Sequence, residues 1–250
     1  MNLDRRSQIA ELISREGAVK NELLMQTFDI SIETVRRDLA YLEKQGLIEK
    51  VYGGAVRKTF LSDEPNYLSR ETANRAEKWA IAQAAEGLIE KKDTVFFDLG
   101  TTVLFLARQI AEEKQIVGFT NAIRTAVELS EKGFAVTIPG GALRPKELSV
   151  SGVLTYENMQ NFNVDKIFVG VGGITTDGIT DFIPEEAKLR RCMIENARQV
   201  IALADFSKFG VRAVCNVCAI SEIDILVTDE KAPRNIVKAL EKQGVKVIIV

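Results

Sequence analysis

Over the first sixty residues the apolar positions recur at helical spacing and then switch to alternation. Ile9, Leu12 and Ile13 mark a helix over residues 3–16 that Gly17 closes. Leu23, Leu24 and Phe28 mark a second, short helix over residues 20–28. Asp29 and Ile30 make a tight break, and Ser31 is placed to cap a third helix over 32–45, ended by Gly46. Residues 47–57 alternate about Gly53 and Gly54, which predicts a small β-hairpin. The next stretch, 59–72, is polar, with Ser62, Asp63, Pro65 and Asn66, and reads as a linker or the start of a linker helix. From residue 74 the texture changes. A long helix is predicted to Lys91, followed by β-branched apolar runs at 94–98, 116–120, 135–138, 166–169, 200–204, 225–228 and 245–250. Helical patterns fill gaps near 102–111, 121–131, 185–197 and 233–242. Near-continuous apolar strands alternating with helices predict a mainly parallel sheet covered on both faces. The expected fold class is α/β, an N-terminal winged helix-turn-helix followed by a mainly parallel α/β domain. The expected divisions are a DNA-binding domain at 1–58, a linker at 59–73 and a second domain at 74–250.

Composition narrows the chemistry. With 250 residues, 46% of them apolar, burial of a core is not in question. No run approaches the ~18 apolar residues of a membrane span, and the charged N-terminus does not read as a signal peptide, so a cytoplasmic protein without a membrane partner is expected. There is no histidine, which excludes a Ser-His-Asp triad, a Cys-His pair and a His-ligated metal. Cys215-Asn-Val-Cys218 matches C-x-x-C but sits in an apolar strand-like stretch, so Cys192, Cys215 and Cys218 are expected to be small core thiols, with no metal or cofactor. Residues 1–58 carry 10 basic and 9 acidic side chains, too even a balance to argue for nucleic acid by charge alone.

Pattern makes that case. Projected at about 100° per residue, the third helix turns Ile32, Val35, Leu39 and Leu42 inward. Arg37 points away from them, flanked by Glu33, Thr34 and Tyr41, with Arg36 at the edge. Ser31 and Arg36 near the helix start suit phosphates, and Arg37 suits a guanine edge in the major groove. Lys50, Arg57 and Lys58 place cations on the hairpin, as a wing would. A solvated charged face is the alternative for any one such helix. The order of short helix, tight turn, capped helix and Gly-Gly hairpin favours the DNA reading.

In the second domain, polar or glycine-rich segments follow successive strands. Asp98-Leu-Gly-Thr-Thr102 ends a strand and opens a helix, so Gly100, Thr101 and Thr102 offer backbone donors and a helix dipole to an anion. Thr120 and Asn121, and Gly140 and Gly141 before Arg144, also follow strands, and such ends gather at one edge of a parallel sheet, where ligands bind. Arg144 and Lys208 are candidates for phosphate charge, or for surface ion pairs. Glu186, after Pro184, is a candidate for a sugar hydroxyl, or a simple helix-start acid. Gly170-Val-Gly-Gly173 lacks the spacing and following helix of a dinucleotide fingerprint, so no NAD site is expected.

Ser31-Ile-Glu-Thr-Val-Arg-Arg-Asp-Leu39, Leu42-Glu-Lys-Gln-Gly-Leu47 and Tyr52-Gly-Gly-Ala55 resemble the signature of the DeoR-type repressors of sugar metabolism. Asp98 to Thr102, Thr120-Asn121, Gly140-Gly141, Asp165 to Gly170 and Asp205 to Gly210 resemble that family's later blocks, so the resemblance runs over nearly the whole chain. It implies a second domain similar to ribose-5-phosphate isomerase and glucosamine-6-phosphate deaminase, a phosphorylated sugar as effector and double-stranded operator DNA as partner. A homodimer or higher homo-oligomer is expected, since one winged module buries little DNA surface. Two alternatives stand beside this reading. One is a sugar-phosphate isomerase or aminosugar-phosphate deaminase with Asp98, Asp177, Asp181 or Glu186 as base. The other is an architectural DNA-binding protein, for which a large glycine-punctuated α/β domain has no use.

Overall fold

The computed structural model describes residues 2–44, 47–57, 60–61 and 64–250. The chain divides into two compact units, Met1–Pro65 and Asn66–Val250.

The first unit contains α1 (Asn2–Glu16), β1 (Ala18–Lys20), α2 (Asn21–Phe28), α3 (Ile32–Lys44), β2 (Ile48–Val51) and β3 (Gly54–Arg57). Each boundary has a local cause. Gly17, at φ +76°, turns its N–H back to the Ile13 carbonyl and stops α1. Asp29 takes a left-handed φ of 49° and closes α2 on Met25. Ser31 Oγ accepts the Thr34 N–H at 3.3 Å and caps α3. Gly46, the expected stop of α3, lies outside the described residues, as do Lys58, Ser62 and Asp63. Ile9 and Ile13 of α1, Leu24 of α2, Val35, Leu39 and Leu42 of α3, and Ile48 and Ala55 of the strands form the core.

The hairpin differs from expectation by one residue. Val51 pairs with Gly54, so the two-residue loop is Tyr52-Gly53. Gly54 begins β3, and a Cβ there would stand 2.2 Å from the Val19 carbonyl oxygen. Only glycine lets β1 lie against β3, which it flanks antiparallel to form a three-stranded wing sheet.

In the second unit a seven-stranded sheet carries the fold. Its strands are β4 (Thr94–Phe97), β5 (Val117–Thr120), β6 (Ala135–Thr137), β9 (Val164–Gly170), β12 (Ala197–Leu203), β14 (Ile225–Thr228) and β15 (Lys246–Ile249). All six pairings are parallel, in the order β15-β14-β12-β9-β4-β5-β6. Side chains alternate between two cores. Phe97, Phe168, Ile201 and Val227 face one, with helices α5 (Arg75–Glu86), α6 (Thr101–Gln109) and α7 (Ile123–Glu131). Phe96, Ile167, Ala202 and Leu226 face the other, with α8 (Val153–Met159), α9 (Pro184–Glu195) and α10 (Arg234–Lys242).

The expected strands are present as this sheet, and the long helix from residue 74 is not. It ends at Glu86 because Gly87 begins a turn in which Leu88 and Ile89 bond back to Ala85 and Glu86. Residues 67–72, expected as linker or linker helix start, form α4 (Tyr67–Thr72), capped by the Asn66 side chain. A hairpin, β7 (Ala142–Arg144) and β8 (Ser149–Ser151), and a small antiparallel sheet of β10 (Gly173–Ile174), β11 (Gly178–Asp181) and β13 (Cys215–Ala219) complete the unit. The order reverses between β4 and β9: the chain leaves β4 outward to β5 and β6, then returns to β9 on β4's other side. In an open parallel sheet this switch point opens a crevice at the carboxyl ends of the strands.

Candidate nucleic-acid interface and effector site

On α3 the burial follows the projected faces. Val35, Leu39 and Leu42 are buried, whereas Glu33, Arg36, Arg37 and Tyr41 are exposed and Ile32 and Thr34 are half-buried. Ser31 Oγ lies 3.2 Å from Thr34 Oγ1, so both hydroxyls serve the helix start. Lys50 pairs with Glu43 of α3 at 3.4 Å, an exposed contact that holds little energy. Of the wing cations, Lys58 and the side chain of Arg57 lie outside the described residues. The residue that sequence reasoning missed is Asp38, which is fully buried between Arg5 and Arg6 of α1.

At the switch point of the sheet, the β4–α6 turn meets the end of β9. Gly170 N–H donates to Asp98 at 3.0 Å, and a Cβ on Gly170 would lie 2.6 Å from the Leu99 carbonyl, so glycine permits the contact. Thr101 and Thr102 occupy the first turn of α6 and are nearly buried. The first helical bond runs from Leu104 N–H to the Gly100 carbonyl at 3.0 Å, so the N–H groups of Thr101, Thr102 and Val103 have no acceptor within the helix.

Asp98 belongs to a buried ion cluster. Arg190 of α9 donates through Nε to Asp98 and through Nη1 to Asp181 of β11, all three being buried. Burial pushes the Asp98 carboxyl up to about 6 in spite of the guanidinium. For Asp181 burial acts in the same direction, but Arg190 and the N–H groups of Phe182 and Ile183 outweigh it and hold the carboxyl below its ordinary value.

Beside this cluster, three of the predicted residues converge. Glu186, 2% exposed in the first turn of α9, accepts from Asn121 Nδ2 at 2.7 Å, Ser149 Oγ at 2.7 Å and Arg144 Nη1 at 2.9 Å. Arg144 is thereby matched by a carboxylate. Asn121 also donates to the Val150 carbonyl at 3.3 Å, which fixes its amide orientation. Its Oδ1 is buried and accepts from no donor among the described residues. Thr120 Oγ1 accepts the Ala122 N–H at 3.1 Å.

The remaining predicted residues lie elsewhere. The Gly140 carbonyl accepts from Thr155 Oγ1 at 2.7 Å, and Gly141 packs under that hydroxyl, so this pair seats α8. Lys208 lies on a single turn after β12, where its charge and that of Lys78 lower the buried Asp205 carboxyl against the opposing effect of burial. Lys78 itself, buried on α5, is pushed down to about 8 by burial and donates to the Arg70 and Ala73 carbonyls that end α4. Cys218 is buried on β13 with its thiol pushed up to about 12, which suits a core thiol. Among the described residues no group of Cys, Asp and Glu is arranged to hold a metal ion.

Residues 5–59 match the family model of the DeoR-like helix-turn-helix domain, and residues 73–230 match that of the DeoR C terminal sensor domain. The HTH-type transcriptional regulator GlpR of Haloferax volcanii is 35% identical over 98% of this chain and 96% of its own. The putative aga operon transcriptional repressor of Escherichia coli O157:H7 is 34% identical over 99% and 93%. The glycerol-3-phosphate regulon repressor of E. coli K12 is 32% identical over 94% of each. Among solved structures, ribose 5-phosphate isomerase A of Methanocaldococcus jannaschii covers 55% of each chain at 13% identity with a TM-score of 0.40.

Proposed function

The chain belongs to the DeoR family of transcriptional regulators, and on that premise we propose that it represses a carbohydrate-utilisation operon and leaves its operator when a phosphorylated sugar fills the site at the sheet's switch point. Membership of this family sets aside the isomerase or deaminase weighed from the sequence. Two relatives are named as repressors of the aga operon and of the glycerol-3-phosphate regulon, which supports a carbohydrate phosphate as the class of effector. The domain reading is DNA binding at 1–58, linker at 59–73, and sensing and self-association at 74–250, acting in the cytoplasm as a homodimer or larger homo-oligomer.

The observation that carries the sugar reading is the Asn121 amide. A fully buried acceptor held in one orientation and left without a donor is costly, and a sugar hydroxyl supplies the missing one. The open N–H groups of the first α6 turn suit the phosphate. In this reading Gly100, Thr101 and Thr102 take the anion, while Asn121, Glu186 and Ser149 read hydroxyls. Arg144 and Lys208 act through their carboxylate partners rather than as free phosphate cations.

A route from the site to the linker is built into the same hairpin. Arg144 and Ser149 of β7 and β8 bond Glu186. Between them Glu147, 5% exposed, pairs with Arg70 of α4, the helix that lies within the 59–73 linker. A ligand that rearranges the hairpin therefore perturbs α4. Coupling of about 1–3 kcal/mol, 5–150-fold in operator affinity, is the expected range.

The test is titration of a duplex that the protein selects from a random pool, with and without aldose, ketose and aminosugar phosphates and glycerol phosphate. One member should lower affinity, and Thr101→Ala and Asn121→Ala should blunt that effect. Unchanged binding of the cognate phosphate by both variants overturns the site, and no binding by any phosphate overturns the effector.

A further inference from the structure

Asp38 stands in the run Arg36-Arg37-Asp38 yet shares none of its neighbours' exposure. Arg36 and Arg37 are exposed, whereas Asp38 is 0% exposed. Its carboxylate is divided between two consecutive arginines of α1. Arg5 bonds Oδ2 through Nε at 2.9 Å and Nη2 at 2.7 Å, and Arg6 bonds Oδ1 through Nε at 2.8 Å. The Arg6 guanidinium also lies 4.0 Å from the centroid of the Tyr41 ring. Tyr41 belongs to the outer face of α3 that carries Glu33 and Arg37, so one carboxylate reaches that face through a single stacked arginine.

Two consequences follow from charge and geometry. A buried carboxylate clamped by two guanidiniums fixes the rotation and height of α3 on α1 more tightly than apolar packing, which has no directional bonds. It also cancels one of two positive charges on a surface whose non-specific attraction to DNA scales with charge. A helix that reads base edges gains discrimination from the first effect and loses background binding through the second.

We propose that Asp38 is a specificity-determining positioning residue of the DNA interface: through Arg5 and Arg6 it sets the reading face of α3, including Tyr41, and suppresses binding to unrelated DNA. The proposal rests on α3 being the DNA-reading helix.

The test uses the full chain on two duplexes, one selected by the protein from a random pool and one of scrambled sequence, over a salt series. Asp38→Asn keeps the volume and releases the guanidiniums. It is expected to weaken the selected duplex about tenfold or more, to bind the scrambled duplex more tightly, and to steepen the scrambled salt slope by about one. Asp38→Glu should restore most of the discrimination. Equal losses on both duplexes would mean a merely structural role, and unchanged affinities would mean no role; either overturns the proposal. If Asp38→Asn fails to fold, Arg6→Met decides. It leaves Asp38 paired with Arg5 and should reduce the ratio of selected to scrambled affinity about fivefold, so a ratio within twofold of the parent refutes the idea. Arg37→Ala is the control for the premise. If it leaves the selected duplex unaffected, α3 is not the reading helix and the fault lies there rather than with Asp38.

Discussion

Removing the carboxylate of Glu186 is the sharpest test of how the sensor site is held. Three donors end on it, and two of them, from Asn121 and Ser149, belong to residues with no exposure. In Glu186→Ala each of those two loses its acceptor, at about 1–3 kcal/mol per buried group. The third, Arg144, retains a quarter of its side-chain surface and can turn to water, so its loss is discounted. A hydroxyl can also rotate to a new partner. The sum is set near the lower end, about 3 kcal/mol. In a unit of this size each kcal/mol moves the melting temperature by roughly 2–4 °C, so the second unit should melt about 6–12 °C lower by calorimetry. Glu186→Gln separates stability from binding. Its oxygen can keep Ser149 and Arg144, but its amide then faces the Asn121 amide, which must turn over and accept through Oδ1. That repairs the fold at about 1–2 kcal/mol and occupies the acceptor assigned to the sugar. The alanine variant should therefore melt earliest, and the glutamine variant should lose only about 2–8 °C while binding the effector poorly. A Glu186→Ala protein melting within 2 °C of the parent, or a Glu186→Gln protein with parental effector affinity, refutes this account of the site.

At the DNA interface, Arg37→Ala should cost about 1–3 kcal/mol on the selected duplex and relax preference at one base pair, whereas Arg36→Ala should weaken all sequences and flatten the salt slope by about one, as filter binding over a salt series would reveal. Gly54→Ala places a methyl 2.2 Å from the Val19 carbonyl, so β1 and β3 must part. The first unit should lose about 1–3 kcal/mol by thermal melting and bind DNA less well, while the second transition stays put. Burial raises Asp229 to about 6. An unfolded carboxyl has lost its proton by pH 5 and the folded one loses it through about 6, so the native state binds more protons and stability falls as pH rises from about 4 to 6. The parent should thus lose about 1 kcal/mol more between pH 5 and pH 7 than Asp229→Asn in urea unfolding, and equal losses would contradict the shift.

The parallel sheet was legible because its information is local. Phe96 and Phe97, or Ile167 and Phe168, sit on opposite faces and are both buried, so β4 and β9 read as unbroken apolar runs. What stayed hidden is short or made elsewhere. The strand β1 has three residues and exists only because Gly54 lets it approach β3. The β7–β8 hairpin has one buried apolar residue, Val150, and is held by Asn121, Ser149 and Glu186 instead of by alternation. The helix predicted to reach Lys91 kept its apolar spacing past Glu86, and no periodicity argument weighs the low helix propensity of Gly87, where the chain turns.

The same distinction explains which site residues could be named. Strand ends are visible in sequence, which is how Asp98, Thr120 and Asn121 can be named; the same signal also picks out Gly140 and Gly141, which instead seat α8. Their partners are remote: Arg190 lies 92 positions from Asp98, and Glu186 lies 65 from Asn121. Residue type alone left Arg144 and Lys208 open between a phosphate and an ion pair, because a cation's surroundings depend on which carboxylate folds near it: Arg144 pairs with Glu186, and the Lys208 charge acts on Asp205. Asp38 is the instructive exception, because its signal was local. At about 100° per residue it falls some 60° from Val35, on the apolar stripe rather than with Arg37. A lone acid on an inward stripe must be paired or neutral, since an unpaired buried charge is too costly to keep. The cations that reach it, Arg5 and Arg6, are consecutive arginines of α1, two helices back in the chain. That reasoning needs only helical geometry and the cost of burying charge, and it converts a run that looks like a solvated surface into a clamp between two helices.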